Sequence, residues 1–215
     1  MNQPEEGIAT VRIDNIPWET TFDMVQAWLP ENTLLANDDT VLPVHILCNR
    51  TDGRTLNQCY IELRDLDAAR LVVRQRNGTR LGHRPVAVSL ATQAELLTVV
   101  FPMWEPGFRG TSAVAGPSGP IVTQTELTGL VNLCRLQTPH AYKCYERPFF
   151  NLVTIIVKVS TRSRWRCVCP LLTTVQLPWH QQDKFGGKQC VRILQAARRQ
   201  SIFALVASRM LEADQ

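Results

Sequence analysis

Side chains that could carry out acid–base or nucleophilic chemistry are scattered through the sequence without the spacing of a catalytic motif. Of the four histidines, only His180 has a carboxylate close by, that of Asp183. No nucleophile accompanies this pair, and the chain contains no Walker loop and no HExxH or GxSxG motif. We therefore expect a protein that is not an enzyme and that needs no cofactor.

The cysteines argue for reduced thiols rather than for disulfides or a metal site. There are seven, an odd number, and the first residues lack the apolar core of a secretory signal. Cys167 and Cys169 form a CxC without a second pair at metal-ligand spacing, and Cys48 and Cys59 lie in strand-like apolar runs. No apolar run reaches the roughly 20 residues of a membrane helix. We expect a location in the nucleus, the cytoplasm or both, and no membrane partner.

Charge is distributed unevenly along the chain. Residues 1–60 carry nine acidic and three basic side chains, whereas residues 161–215 carry three acidic and nine basic ones. A polyanion is therefore not attracted to the first part of the chain by its overall field. Any nucleic-acid binding there must depend on particular side chains.

Two aromatic side chains occupy positions where their rings could stack on bases. Trp18 follows a proline in a turn, and it could either stack on a base or cover one end of the core. Tyr60 alternates with Cys59 and Ile61 in a strand-like run, so its ring lies on the opposite face. There it could bind a base or pack beneath the segment around 92–101.

The elements that must position these side chains alternate in a recognisable order. Apolar alternation predicts strands near 9–16, 41–48, 58–63 and 85–90. Helical spacing follows the first strand, from Thr20 or Thr21 to Leu29, and the third, from Asp65 until Asn77-Gly78. The order is βαββαβ, which predicts an α+β, ferredoxin-like sandwich with four antiparallel strands. Two helices cover one face of this sheet, and we expect the other face to be open.

Composition divides the chain into four parts. Residues 1–8 are expected to be a disordered lead, 9–101 the α+β domain, 102–120 a Pro- and Gly-rich linker, and 121–215 a mainly helical region. Within the last part, 125–137 and a basic stretch, 189–211, have helical apolar spacing. Residues 148–158 are rich in β-branched side chains, so helix and strand both remain open there.

Residues 159–176 separate two stretches that would otherwise join as TIIVK-LPWHQQD. Val159-Ser160 can be encoded by GTAAGT and Gln176 by CAG, which are the boundaries of a typical intron. One hypothesis is thus a short intron retained in frame, and the alternative is a genuine basic loop. Sequencing the gene and its transcripts distinguishes the two.

Two stretches of the first domain resemble the signatures of the RNA recognition motif (RRM) family. They are Val11–Ile16 and Leu56–Leu63, on the two central strands. In that family, aromatic rings on the open sheet face stack on bases. Arg12 and Gln58 occupy two of these aromatic positions, and only Tyr60 keeps the ring. RRM-type domains that lack sheet aromatics can bind peptides instead.

A closer resemblance is to the quasi-RRM domains of heterogeneous nuclear ribonucleoproteins of the F/H class, over roughly residues 9–90. The matching stretches are Ile16-Pro17-Trp18, Gly53-Arg54 and Leu81-Gly82-His83-Arg84. In that subgroup, loops rather than the sheet hold single-stranded RNA. The resemblance therefore implies that Trp18, Arg54 and Arg84 bind RNA.

The sequence predicts a single-stranded-RNA-binding component of a ribonucleoprotein, acting in RNA processing or post-transcriptional regulation. The alternative is a protein–protein interaction module on the same fold, with a protein partner in place of RNA. The predicted nucleic-acid contacts are Arg12, Trp18, Arg54, Gln58, Tyr60, His83 and Arg84.

Overall fold

The computed structural model describes residues 8–35, 42–116, 120–135 and 147–160. These residues form eight strands and five helices, listed in chain order: β1 (Ala9–Asp14), α1 (Phe22–Trp28), β2 (Val44–Cys48), β3 (Thr55–Leu63), α2 (Leu66–Arg76), β4 (Arg80–Leu81), β5 (Arg84–Pro85), β6 (Ala87–Ala91), α3 (Gln93–Val100), β7 (Phe108–Arg109), β8 (Ser112–Ala113), α4 (Gln124–Arg135) and α5 (Arg147–Ser160). The predicted lead 1–8 (except Ile8), the basic stretch 189–211 and most of 159–176 lie outside the described residues, as do His180, Asp183 and the CxC.

Four strands form one antiparallel sheet in the order β2-β3-β1-β6. Strand β1 pairs with β3 through Ile13↔Cys59 and with β6 through Ile13↔Val88. The two consecutive strands β2 and β3 are neighbours in the sheet. Crossovers connect β1 to β2 through α1 and β3 to β6 through α2. This order confirms the predicted α+β, ferredoxin-like arrangement.

The helices begin where short polar side chains cap their first turns. Thr21 accepts from the amide of Met24 at the start of α1, and Asp65 accepts from the amide of Ala68 at the start of α2. At α3, Thr92 and Glu95 form a reciprocal capping box. These caps satisfy backbone donors that the helices cannot pair themselves, which fixes where each helix starts.

Alternation along the strands sends side chains into two separate apolar clusters. Val11, Ile13 and Ile61 are fully buried on the face that packs against α1 and α2. Leu47 and Tyr60 point the opposite way and join a second cluster with side chains of α3, α4 and α5. The sheet is therefore covered on both faces over β2 and β3, and the expectation of an open second face is wrong there.

The segment 147–160, for which helix and strand were both open, is the helix α5. Its side chains are buried almost all round, and Thr154 and Lys158, four residues apart, share the face toward the sheet. The β-branched residues are tolerated in this helix because the free energy gained by burying them outweighs their slightly unfavourable helix propensity. Helix α5 lies against β2 and α4.

The stretch expected to be a linker contains ordered structure in its first part. A short β7–β8 hairpin forms there, and Phe108 packs on Phe101 with ring centroids 5.9 Å apart. Trp104 also lies against the second cluster. The division of the chain at 102–120 stays a prediction. Within the described residues, no helix is long and apolar enough to cross a bilayer.

Candidate nucleic-acid interface

Trp18 is positioned by a sharp change of direction at the end of β1. Asn15 has φ 66°, in the left-handed region that asparagine tolerates better than most residues. Its amide and that of Ile16 both donate to the carbonyl of Asn57, at 2.8 and 3.2 Å. The hydroxyl of Thr55 donates to the carbonyl of Trp18 at 3.1 Å. These bonds attach the Trp18 turn to the start of β3 and leave the indole half-buried.

The guanidinium of Arg84 lies over the Trp18 ring, with Cζ 5.6 Å from its centroid. It also donates to the carbonyl of Ile16 at 3.4 Å. Arg84 belongs to the β4–β5 hairpin, which is tied to the turn by a 2.8 Å bond from the Asn15 side chain to the Pro85 carbonyl. The two flat groups are thus stacked before any ligand is present, which limits the entropy that binding would cost.

Gly82 lets this hairpin approach the turn closely. Its φ is +58°, and a Cβ built there would lie 3.3 Å from the methyl carbon of Met24 and 3.6 Å from Cγ of Pro17. A side chain would therefore face both backbone strain and crowding. The glycine that carried part of the quasi-RRM resemblance has a local structural reason.

Arg54 and His83 lie on adjoining loops and are exposed, but each is paired with an acid. The Nδ1 atom of His83 is 2.9 Å from Oε1 of Glu19, and Nε of Arg54 is 3.5 Å from Oδ2 of Asp52. Thr55 bonds to the Trp18 turn, and Arg54 is the residue before Thr55. The backbone of Arg54 is therefore next to the point where β3 meets this turn. We name Trp18, Arg54, His83 and Arg84 the loop rim.

Arg12 and Gln58 lie on the sheet face next to the loop rim and are partly exposed. Nε of Arg12 is 2.9 Å from Oδ2 of Asp14, whose strand position pairs with Gln58. The hydrogen bond and charge of Asp14 raise the pKa of Arg12, and its interaction with Tyr60 adds to the rise. An RNA phosphate would have to compete with this carboxylate for Arg12.

Tyr60, in contrast, is only 3% exposed and belongs to the cluster formed with α3, α4 and α5. Burial raises the pKa of its phenol. In this conformation no base can stack on the ring. The structure therefore places Trp18, Arg54, His83 and Arg84 together at one end of the sheet, with Arg12 and Gln58 on the neighbouring strands. Tyr60 is the cross-strand neighbour of Arg12, but it is buried beneath the helices.

A buried polar network fastens α5 over the sheet face. Oε2 of Glu62 accepts from Nζ of Lys158 at 2.5 Å and from Nε2 of His45 at 2.9 Å. With its proton on Nε2, His45 can accept from the Thr154 hydroxyl through Nδ1, 3.4 Å away. The Glu62 Oε1 atom accepts from Gln93 of α3 at 2.6 Å.

The ionisation of this network follows from its burial and its charges. Burial lowers the pKa of His45, and the nearby ammonium of Lys158 lowers it further. Burial alone would raise the pKa of Glu62, but the hydrogen bonds from His45 and the charge of Lys158 outweigh it, so the pKa is lowered. The consistent state is an ionised Glu62–Lys158 pair beside a neutral His45.

Three features of this region were not predicted from the sequence. The left-handed conformation of Asn15 had a signal in its residue type, because asparagine tolerates that conformation. The signal for the contact of Glu19 with His83 was the position of Glu19 next to Trp18 in the chain. The Lys158–Glu62 pair joins residues 96 positions apart, so no local pattern could indicate it. Among the described residues, no group of three His, Cys, Asp or Glu side chains could hold a metal ion.

Comparisons with known proteins agree with the fold but give no function. A family model described as a domain of unknown function, DUF8400, matches residues 7–105. No curated protein matches the sequence. Three solved structures illustrate the likeness: the qRRM2 domain of Glorund, with 17% identity over 41% of this chain and 93% of that one, at a TM-score of 0.36; the RRM of RNA15, with 22% identity over 40% and 93%, at 0.35; and G-rich RNA sequence binding factor 1 from Homo sapiens, with 19% identity over 45% and 92%, at 0.36.

The names of the first two describe RRM domains, the first of them a qRRM. Identities and scores this low carry no argument about what this chain binds. The fold is established by the strand order and register of the chain itself, β2-β3-β1-β6 with two crossover helices. The function must be argued from the loop rim.

Proposed function

We propose that the chain binds single-stranded RNA at the loop rim rather than across the sheet. The observation that supports this proposal is the preformed Arg84–Trp18 stack, half-buried beside the exposed Arg54 and His83. An indole plane can take a base by stacking, and guanidinium groups can take the base edge or the phosphate. A role in RNA processing or post-transcriptional regulation, in the nucleus or the cytoplasm, is part of the same proposal.

The electrostatics of the rim set the strength of this binding. The guanidinium groups of Arg54 and of the neighbouring Arg12 are paired with Asp52 and Asp14, and the His83 ring contacts Glu19, so two cations are largely offset before RNA arrives. Affinity should therefore come mainly from stacking and only modestly from counterion release. A single domain of this kind is expected to need a second module or partner for tight binding.

The experiment is a fluorescence-anisotropy titration of the full chain with labelled G-rich and U-rich single-stranded oligonucleotides at moderate salt. Because base–aromatic stacking contributes about 1–3 kcal/mol per base, Trp18→Ala should weaken binding roughly 5- to 150-fold. Trp18→Phe should retain part of the affinity, and Arg84→Ala should weaken binding in the same range.

Arg70→Ala is the matched control for Arg84→Ala, since Arg70 is exposed and paired with Asp67 on α2. Thermal unfolding of each variant separates lost binding from lost folding. If the folded Trp18→Ala and Arg84→Ala variants bind both oligonucleotides as wild type does, the loop rim is not the RNA site.

The second candidate is a protein-interaction module, and it is favoured by the covered Tyr60 and by the outer edge of β6. Among the described residues, no further strand pairs with β6 on that side, although the Val88 amide donates to Asn77, and Leu90 is 50% exposed. An edge strand with an exposed apolar side chain can accept an added strand. This candidate becomes the favoured one if the wild-type chain binds neither class of oligonucleotide.

A further inference from the structure

Residues 68–94 contain five arginines and one histidine but no acidic side chain. The five are Arg70, Arg74, Arg76, Arg80 and Arg84. This segment runs from the first turn of α2 through the β4–β5 hairpin to the start of α3. It is the one long stretch of the first hundred residues in which basic charge is not offset along the chain.

Ion pairing divides the arginines of this region into two sets. Arg64 and Arg70 are paired with Asp65 at 3.0 Å and with Asp67 at 3.4 Å. Among the described residues, Arg74, Arg76, Arg80 and Arg84 have no carboxylate within 4.0 Å, and Arg74 and Arg80 are exposed. These four arginines can therefore bind an anion without first losing a carboxylate partner.

Backbone and side-chain bonds hold the β4–β5 hairpin against the end of α2. At the end of α2, the Thr79 amide donates to the carbonyl of Arg76, and the Asn77 side chain accepts from the amide of Val88. The Arg80 guanidinium donates to the carbonyl of His83 at 3.2 Å, next to Arg84 on the hairpin. The positions of the four arginines thus follow one another from the Trp18 stack over the hairpin to the last turn of α2.

Helix stabilisation explains only part of this charge. Arg74 and Arg76 are in the last turn of α2, where cations interact favourably with the helix dipole. Arg76 is also stacked on Trp28, with Cζ 5.7 Å from the ring centroid. Neither account applies to Arg80, which lies beyond the helix on the outer side of the hairpin.

The sheet face over β2 and β3 does not continue the loop rim as a binding surface. It is covered, with His45 and Tyr60 buried. A strand of RNA whose base stacks at Trp18 cannot continue across that part of the face as it stands. Among the described residues, the path along cations that have no carboxylate partner leads over the β4–β5 hairpin.

We propose that Arg74, Arg76 and Arg80 form a phosphate-binding track that carries single-stranded RNA from the Trp18–Arg84 stack over the hairpin onto α2. This inference rests on the proposed function, because the track begins at the loop rim. It assigns the ligand of these arginines as the sugar–phosphate backbone, so they add affinity without base preference.

The test compares two double variants that remove the same charge from the same side of the molecule. Arg74→Ala/Arg80→Ala removes two unpaired cations, and Arg64→Ala/Arg70→Ala removes two paired ones. Each is titrated with labelled single-stranded oligonucleotides of about four and about twelve nucleotides. The sequence is G-rich or U-rich, whichever the wild type binds more tightly, and salt is varied.

The expected result is a change in the salt slope for the longer oligonucleotide alone. Each phosphate contact on a single strand contributes about 0.7 to the slope of log K against log salt, so Arg74→Ala/Arg80→Ala should lower it by about 1.4. The four-nucleotide probe and the Arg64→Ala/Arg70→Ala variant should keep wild-type slopes.

Equal losses in the two double variants would mean a general field effect and would overturn the track. Unchanged slopes in both would also overturn the track. If Trp18→Ala still weakens binding in that case, the proposed function stands. If the wild-type chain binds neither oligonucleotide, the proposed function fails and the track fails with it.

Discussion

At the scale of single residues, Glu62 accepts hydrogen bonds from side chains of three different elements. His45 comes from β2, Lys158 from α5 and Gln93 from α3. The carboxylate is 4% exposed, so its charge is compensated by these donors rather than by water. One side chain thereby connects the central sheet to α3 and α5, two of the three helices that cover this face.

Glu62→Gln should destabilise the chain by about 3–5 kcal/mol, because it removes the carboxylate that pairs with the buried ammonium of Lys158. Lys158→Met should cost less, since Glu62 keeps His45 and Gln93. The double variant should be more stable than Glu62→Gln alone. Urea unfolding of the four proteins gives the coupling free energy directly.

Asp67→Asn is the matched control for this cycle, since Asp67 pairs with Arg70 at the surface. We expect it to change stability by about 0.5 kcal/mol or less. If Glu62→Gln and Lys158→Met have additive effects, the pair does not hold α5 to the sheet.

At the scale of elements, two free cysteines report separately on the two faces of the sheet. Cys48 is in the cluster covered by α3, α4 and α5, and Cys59 is in the cluster covered by α1 and α2. Both are buried, and burial raises the pKa of each thiol to about 12. Neither should react as a thiolate while its own face is covered.

Brief alkylation of the native chain followed by peptide mass spectrometry should leave Cys48 and Cys59 unmodified, and denaturant should expose both. In Glu62→Gln, loosening of α5 should make Cys48 reactive while Cys59 stays protected by α1 and α2. If both thiols become reactive together, the two faces unfold as one unit and the covering helices are not a separate layer.

Local patterns predicted most elements because their signals are local. Alternation in Val11–Ile13 and Cys59–Ile61 indicated the central strands, and Thr21 and Asp65 marked helix starts. Two of the loop motifs lie next to each other in the structure, because Gly82 approaches Pro17; that they bind RNA stays a prediction. The cover of the second face could not be predicted, because it depends on contacts such as Thr154 with His45, 109 residues apart. The sequence therefore indicated an exposed ring for Tyr60, because the helices that cover its face of the sheet could not be predicted.

At the scale of the whole molecule, the same buried groups make stability depend on pH. The folded-state pKa of His45 is lowered from 6.5 and that of Glu62 from 4.5. In both cases the unfolded chain binds protons first as pH falls, so acid favours unfolding. The thiols act in the opposite direction, because their raised pKa lets the unfolded chain lose protons first above about pH 9.

The free energy of unfolding should therefore be highest between about pH 7 and pH 8. It should fall first as pH drops below about 6.5, through His45, and more steeply below about 4.5, through Glu62. Urea midpoints measured across this range check the profile. His45→Asn is the diagnostic variant, since it should remove the first decline and leave the second. If the decline between about pH 6.5 and pH 5 persists unchanged in His45→Asn, another group is responsible and the neutral, buried state assigned to His45 is wrong.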